Sequence, residues 1–199
     1  AYAVQKIAEE HILDILRSLK NANISSKKIC LSGGLFANVK INQRVSEFGF
    51  ESVFVSPPMS DDGTALGAAL QLASQGEQFN PKPLPHVFLG PGSSQEEIQK
   101  LISEQGICCH TPDPERTLAQ EVAHLLANEQ IVAIYQGASE YGPRALGNRS
   151  ILASASDDAI NLKLNNRLHR TEFMPFAPMC LIDDVDELFI DVSKNQHTA

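Results

Sequence analysis

Basic residues are the first thing this sequence is short of. Sixteen Lys and Arg stand against 24 Asp and Glu, a formal net charge of -8. That balance argues against a general nucleic-acid binder or a polybasic membrane anchor, since both must meet phosphates with positive charge. Any anion site here has to be local. Long apolar runs are also missing: no stretch approaches the roughly 20 residues of a membrane-spanning helix, and the opening AYAVQKIAEEHIL has no signal-peptide pattern. The expectation is a soluble, cytoplasmic protein that binds neither DNA nor membrane. Because the chain opens with alanine inside a helical pattern, it is also expected to be a piece of a larger protein.

The four cysteines, Cys30, Cys108, Cys109 and Cys180, form no CxxC pair. They are expected to be reduced and buried. The six histidines, His11, His86, His110, His124, His169 and His197, contain no pair at the spacing that builds a metal site on one helix. GxSxG and a P-loop lysine motif are absent too, which disfavours serine-hydrolase and Walker-type chemistry.

What is present is an α/β pattern. Val4, Ile7, Ala8, Ile12, Leu13, Ile15 and Leu16 recur at helical spacing and predict a helix from Tyr2 to about Lys20. A strand at Ile29–Leu31 should lead through Ser32-Gly33-Gly34 into a helix from Leu35 to about Gly49. A strand at 52–55 stops at Pro57 and Pro58, and a helix follows from Thr64 to about Ser74. Pro81, Pro83, Pro85, Gly90, Pro91 and Gly92 mark a crossing segment, dividing the chain into domains of residues 1–78 and 79–199. The second domain is predicted to hold helices at 94–104, 114–128 and 157–169, with strands at 107–110, 131–135, 150–153 and 178–182. Ser93 or Ser94 should cap the first of these helices.

Three stretches carry candidate chemistry. Gly33 and Gly34 sit between a strand and a helix, where backbone amides can approach a phosphate; the plain alternative is a tight turn. Asp61 and Asp62 precede Gly63 at a helix start, which suits helix capping or, alternatively, a metal or nucleotide-phosphate site beyond the end of a strand. In QGASEYGPRALGNRSIL, Arg144 and Arg149 lie among Gly137, Gly142, Pro143 and Gly147 between two apolar strands. Guanidinium forks and glycine-freed amides suit a phosphorylated small molecule, against the alternative of a salt-bridged structural loop. Lys163, Arg167 and Arg170 are expected to share a helix face and converge on the same anion. From Tyr141 to Pro178 there are five Lys or Arg and three Asp or Glu, a reversal of the chain's overall sign. Phe173 and Phe176, beside Pro175 and Pro178, read as core packing.

LSGGLFANVKINQRV, SPPMSDDGTALGAAL, YGPRALGNRSILA and FMPFAP, in that order from Leu31 to Pro178, resemble the NodU/CmcH carbamoyltransferases. The resemblance implies the C-terminal piece of an actin-like ATPase (ASKHA) domain followed by a YrdC-like α/β domain. It implies ATP and carbamoyl phosphate as substrates, activation as carbamoyl-adenylate, and transfer to a hydroxyl of a small-molecule acceptor, assisted by iron or another divalent metal. By the same resemblance, Arg144, Asn148, Arg149 and Ser150 would hold the phosphate, with Arg144 and Arg149 catalytic. Lys163, Arg167 and Arg170 would close the other side. Gly33, Gly34, Asn38 and Asn42 would form the nucleotide turn, and Asp61, or failing it Asp62, would ligate the metal.

The chain departs from the family pattern at Leu168, Thr171 and Met174, which implies a weaker anion site or a subgroup with a different acceptor or phosphate geometry. The family's paired histidine ligands belong to an upstream part of the ATPase-like domain. The partner expected for this piece is therefore the missing N-terminal half, without which it should not complete the reaction. A homodimer through the apolar surface left uncovered is a further expectation. A non-catalytic phosphate- or nucleotide-sensing module is the competing class. Threonylcarbamoyl chemistry on transfer RNA is disfavoured by the acidic charge.

Overall fold

The computed structural model describes residues 2–22, 24, 26–76, 79–80, 82, 84–109, 116–170 and 176–190. Expectations for Pro81, Pro83, His110, Pro114, Thr171, Phe173, Met174, Pro175 and His197 lie outside the described residues. The fold is α/β, divided into two compact units. One comprises Ala1–Val87, Tyr141–Arg144 and Ile182–Ala199; the other comprises Phe88–Glu140 and Ala145–Leu181. No helix among the described residues is long and apolar enough to cross a membrane.

In the first unit, helix α1 (Tyr2–Asn21) packs on α2 (Val39–Glu47) and covers one face of two parallel strands, β1 (Lys28–Leu31) and β2 (Ser52–Val55). Ile29 pairs with Val53 and Leu31 with Val55 on the inner face. These residues join Leu16, Ile41, Val45 and Met59 in the core. Ile41 and Val45 are fully buried, so truncating either to alanine removes contacts worth about 2–4 kcal/mol. On the other face Cys30 and Phe54 are exposed, leaving that side of the sheet open. Helix α3 (Gly63–Ala73) follows β2.

The continuous helix expected from Leu35 is instead two elements. A 3-10 turn, Gly34–Ala37, ends at Asn38, whose backbone is extended and whose side-chain Oδ1 accepts the N–H groups of Lys40 (3.1 Å) and Ile41 (3.3 Å). An asparagine that caps the next helix cannot also continue the previous turn.

The second unit contains α4 (Gln95–Glu104), α5 (Leu118–Ala127), the antiparallel pair β3 (Val132–Tyr135) and β4 (Arg149–Leu152), and α6 (Ile160–Arg167). Helices α4 and α5 both open with complete capping boxes, Ser94 with Glu97 and Thr117 with Gln120. Thr117 thus fixes the start of α5 at Leu118. Asp157 accepts the N–H of Ala159 at 2.9 Å and holds residues 157–159 out of α6, so that helix begins later than expected. His169 has a positive φ of 53°, which ends the helical path before Arg170.

Two expected strands do not form among the described residues. Residues 107–109 are irregular, and residues 178–181 run without a ladder partner into a 3-10 turn at Ile182–Asp184 and helix α7 (Val185–Leu188). Among the described residues β3 pairs only with β4 and β1 only with β2, and neither segment adds a strand to either pair. The cysteines are free but not buried: Cys30, Cys108 and Cys109 are exposed, and Cys180 is half-buried. The apolar surface that would cover them is absent from the described residues, so sulfur hydrophobicity alone does not bury them.

Candidate functional site

The first two motifs and the YGPR opening of the third meet in the first unit. The Ser32-Gly33-Gly34 turn follows β1 and lies beside the loop after β2, where the N–H of Gly33 donates to the carbonyl of Met59 at 2.7 Å. In this structure the Gly33 amide is therefore engaged by the Met59 carbonyl. Gly33 adopts φ 110°, and a side chain there, or at Gly34, would meet nothing within 4 Å, so the space above the turn is open. Asn42 is part of the same structure: its Nδ2 donates to the carbonyl of Phe36 at 2.8 Å, and its buried Oδ1 has no partner among the described residues. Asn38 exchanges side-chain hydrogen bonds with Gln5, at 2.7 and 3.3 Å.

Tyr141–Arg144 joins this assembly. The Tyr141 N–H donates to the carbonyl of Val87 at 2.6 Å, and the Arg144 guanidinium donates to the carbonyl of Ala37 at 2.6 Å. Gly142, also at φ 110°, runs so close to the carbonyl of Pro57 that any Cβ would collide with it. Only glycine satisfies both the backbone angle and the contact. Arg144 therefore lies with Asn38 and the glycine turn, in a different unit from Arg149.

Arg149 opens β4 in the second unit. Its guanidinium lies 3.6 Å from the centre of the Tyr135 ring. Its terminal nitrogens donate to the carbonyls of Gln136 (2.7 Å), Asn148 (3.0 Å), Gly137 (3.1 Å) and Pro91 (3.3 Å). Asn148 donates from its side chain to the carbonyl of Ala138 at 2.7 Å, and the Ser150 hydroxyl accepts the N–H of Gly147 at 2.8 Å. In this arrangement the Arg149 fork braces the loop, and an incoming phosphate would have to displace carbonyls to reach it.

Glu140 was not singled out in the sequence. One carboxylate oxygen of Glu140 accepts the N–H groups of Leu146 (2.8 Å), Asn148 (2.8 Å) and Arg149 (3.2 Å). Burial pushes this carboxyl up, but the three amides and its own N–H outweigh that and bring it down to about 2. Its signal in the sequence was slight: one acidic residue at the edge of a glycine- and arginine-rich loop.

Lys163 and Arg167 lie four residues apart on one face of α6, while Arg170 lies beyond its end. Lys163 pairs with Asp157 at 2.5 Å, which raises the lysine and lowers the aspartate from their usual values. Arg167 ends α6. Arg170, beyond the helix, sits 5.4 Å from the Phe176 ring centre, so Phe176 is a cation–π partner rather than simple core packing.

At the start of α3, Asp62 does not cap the helix with its side chain; it accepts from the Ser60 hydroxyl at 2.7 Å. Asp61 is exposed, and its backbone carbonyl accepts from Thr64. Among the described residues no three His, Cys, Asp or Glu side chains converge. Asp61 could give a metal one carboxylate, and the described residues do not fit a complete shell.

Residues 1–70 match the family described as carbamoyltransferase N-terminus, and residues 123–198 the one described as carbamoyltransferase C-terminus. A chain that carries both stretches, with the four motifs in family order, belongs to the NodU/CmcH-type carbamoyltransferases. Among its relatives, nodulation protein NolO of Bradyrhizobium diazoefficiens is 35% identical over 94% of this chain and 34% of its own length. An uncharacterized protein of Methanocaldococcus jannaschii is 32% identical over 100% of this chain and 34% of its own. Nodulation protein U of Azorhizobium caulinodans is 36% identical over 86% of this chain and 29% of its own. The chain thus spans about a third of the length of these curated relatives.

Proposed function

We propose that this chain is part of an ATP-dependent O-carbamoyltransferase that activates carbamoyl phosphate as carbamoyl-adenylate and passes the carbamoyl group to a hydroxyl of a small-molecule acceptor. The observation that carries the reading is the hydrogen bond from Arg144 to the Ala37 carbonyl, at the end of the 3-10 turn that begins at Gly34. Family membership supplies the chemistry, and this juxtaposition supplies a location for an anionic substrate: a guanidinium next to a turn that no side chain fills. In this reading the first unit is the end of an actin-like ATPase domain, with Gly33, Gly34, Asn38 and Asn42 lining the nucleotide turn. The second is a YrdC-like domain in which Asn148, Arg149 and Ser150 handle the phosphate. Lys163, Arg167 and Arg170 add positive charge to that unit.

Arginines positioned in this way would neutralise charge that develops on the departing phosphate and pyrophosphate. An iron-type metal would draw one carboxylate from Asp61 and its other ligands from outside the described residues. The parent protein is cytoplasmic in this reading, and the acceptor is a hydroxylated metabolite.

Calorimetric titration of the chain with carbamoyl phosphate, and separately with ATP, tests the proposal beside Arg144→Ala and Arg149→Ala. Saturable binding that weakens at least tenfold in one or both variants is expected. A folded wild-type chain that binds neither compound would overturn the placement of the site within it.

A second reading, a phosphate- or nucleotide-binding module that has lost transfer, draws support from Arg149, whose terminal donors are committed to carbonyls. Carbamoylation of any acceptor by a full-length protein containing this chain would eliminate it.

A further inference from the structure

The geometry points to Glu140 as a positioning residue: its carboxylate is a built-in anion that fills a nest of backbone N–H groups at residues 146–149 and thereby sets the Arg149 guanidinium on the Tyr135 ring. Three amides from a four-residue stretch, those of Leu146, Asn148 and Arg149, converge on a single oxygen at 2.8, 2.8 and 3.2 Å. Successive N–H groups turned to one point form a concave site for an anion. Here the anion is supplied by the chain itself.

The nest and the arginine are linked through Arg149. Its backbone N–H is one of the three donors, while its side chain braces the carbonyls of Gln136, Gly137 and Pro91 and stacks on Tyr135. Fixing the Arg149 amide fixes where its side chain leaves the backbone, and the register Tyr135↔Arg149 puts the ring directly across the ladder. Ser150 completes the arrangement by accepting the Gly147 N–H, the one amide between Leu146 and Arg149 that Glu140 does not take.

A carboxylate is the fitting occupant because an ionised oxygen accepts several N–H bonds more strongly than a neutral one. The low value of about 2 for this carboxyl agrees with an anion stabilised by the nest. One consequence is that these three amides are not available to cradle a substrate phosphate while Glu140 is in place. Anion handling in the second unit would then rest on side chains. That consequence rests on the proposed carbamoyl phosphate chemistry; the positioning role does not.

The test uses the whole chain as wild type, Glu140→Ala and Glu140→Gln. Amide hydrogen exchange is read by NMR at Leu146, Asn148 and Arg149, with Ala133 and Ile134 of β3 and Ile41 of α2 as controls, and the ring-current shift of the Arg149 side chain is read on the same samples. Glu140→Ala is expected to speed exchange at the three nest amides at least tenfold relative to the controls and to abolish the ring-current shift. Sodium formate added to the alanine variant should restore protection and part of the shift, while sodium chloride at equal ionic strength should not. Glu140→Gln should fall between, with at least threefold faster exchange.

Unchanged exchange and shift in Glu140→Ala would overturn the inference, as would a formate effect no larger than that of chloride. If the alanine variant loses its fold, glutamine decides: behaviour identical to wild type refutes the need for an anion. Carbamoyl phosphate titration of the same samples separates the two claims. A wild-type chain that does not bind it defeats the proposed placement of the site within this chain and leaves the exchange result standing.

Discussion

The Arg144 guanidinium and the Ala37 carbonyl, 107 positions apart in the chain, meet at 2.6 Å. The contact ties the YGPR segment to the end of the 3-10 turn that follows Gly33, just before Asn38 caps α2. A hydrogen bond from a charged donor to a partly solvated carbonyl contributes about 1 kcal/mol. Arg144→Ala should lower the unfolding free energy by about that amount, measured by urea titration, while weakening carbamoyl phosphate or ATP binding by a larger factor. Equal, small losses in both would reduce Arg144 to a structural tie.

Gly33 and Gly142 share φ 110° but differ in their surroundings, open space at Gly33 and the Pro57 carbonyl at Gly142. Alanine at Gly33 should cost about 1 kcal/mol from backbone strain alone, and alanine at Gly142 at least about 2 kcal/mol, because strain and collision add. Thermal unfolding of the two variants gives the order, and a Gly33→Ala protein less stable than Gly142→Ala would contradict it.

Asn38 serves two partners. It caps α2 through Oδ1 and donates to Gln5 on α1 through Nδ2. Asn38→Ala should therefore destabilise by about 1–2 kcal/mol, the cap accounting for most of it. Asn38→Asp keeps the cap and loses the donor to Gln5, so chemical denaturation should place it between wild type and alanine.

The pH response has a definite sign. Glu140 is held at about 2, below its usual 4.5, so its contribution is fully present above 4.5 and disappears as pH falls toward 2. Asp157 is lowered, first by the Lys163 hydrogen bond and then by the Ala159 N–H, and contributes above its usual 3.8 until pH falls through its folded value. Lys163 is raised by the same pair, so its share is present below 10.5 and is lost as pH rises through its folded value. Carboxyl titration by NMR should find the Glu140 midpoint near 2. Lys163→Ala should return Asp157 toward 3.8 and leave Glu140 where it is.

Legibility in the sequence followed the range of the forces involved. Strands β1 and β2, helices α1 and α3 and the capping box at Ser94 depend on residues within a few positions, and their patterns predicted them to within one or two residues. Asn38 was visible as a motif residue, but its choice between continuing a turn and capping the next helix depends on side-chain bonds that spacing does not encode. The strands expected at 107–110 and 178–182 had the composition of a strand, but a strand also needs a pairing partner, which composition does not specify, and the described residues of both segments pair with none. At the site, the arginines stood out by type and their destinations did not. Arg149 reads as a free fork and braces carbonyls, and Lys163 and Arg167 share a face of α6 while the positive φ of His169 takes Arg170 off the helix. Glu140 offered only a single acidic letter, because its role depends on three amides that the loop turns inward.

Because Tyr141–Arg144 belongs to the first unit while Glu140 and Ala145 belong to the second, no single cut in the gene separates the two. An expression clone ending at Val87 would strip the first unit of Tyr141–Arg144 as well as Ile182–Ala199, leaving the Ala37 carbonyl without its guanidinium and the Pro57 carbonyl without the glycine packed against it. Dissection of this protein by truncation would therefore report the loss of that borrowed segment as though it were an intrinsic weakness of the part that remained.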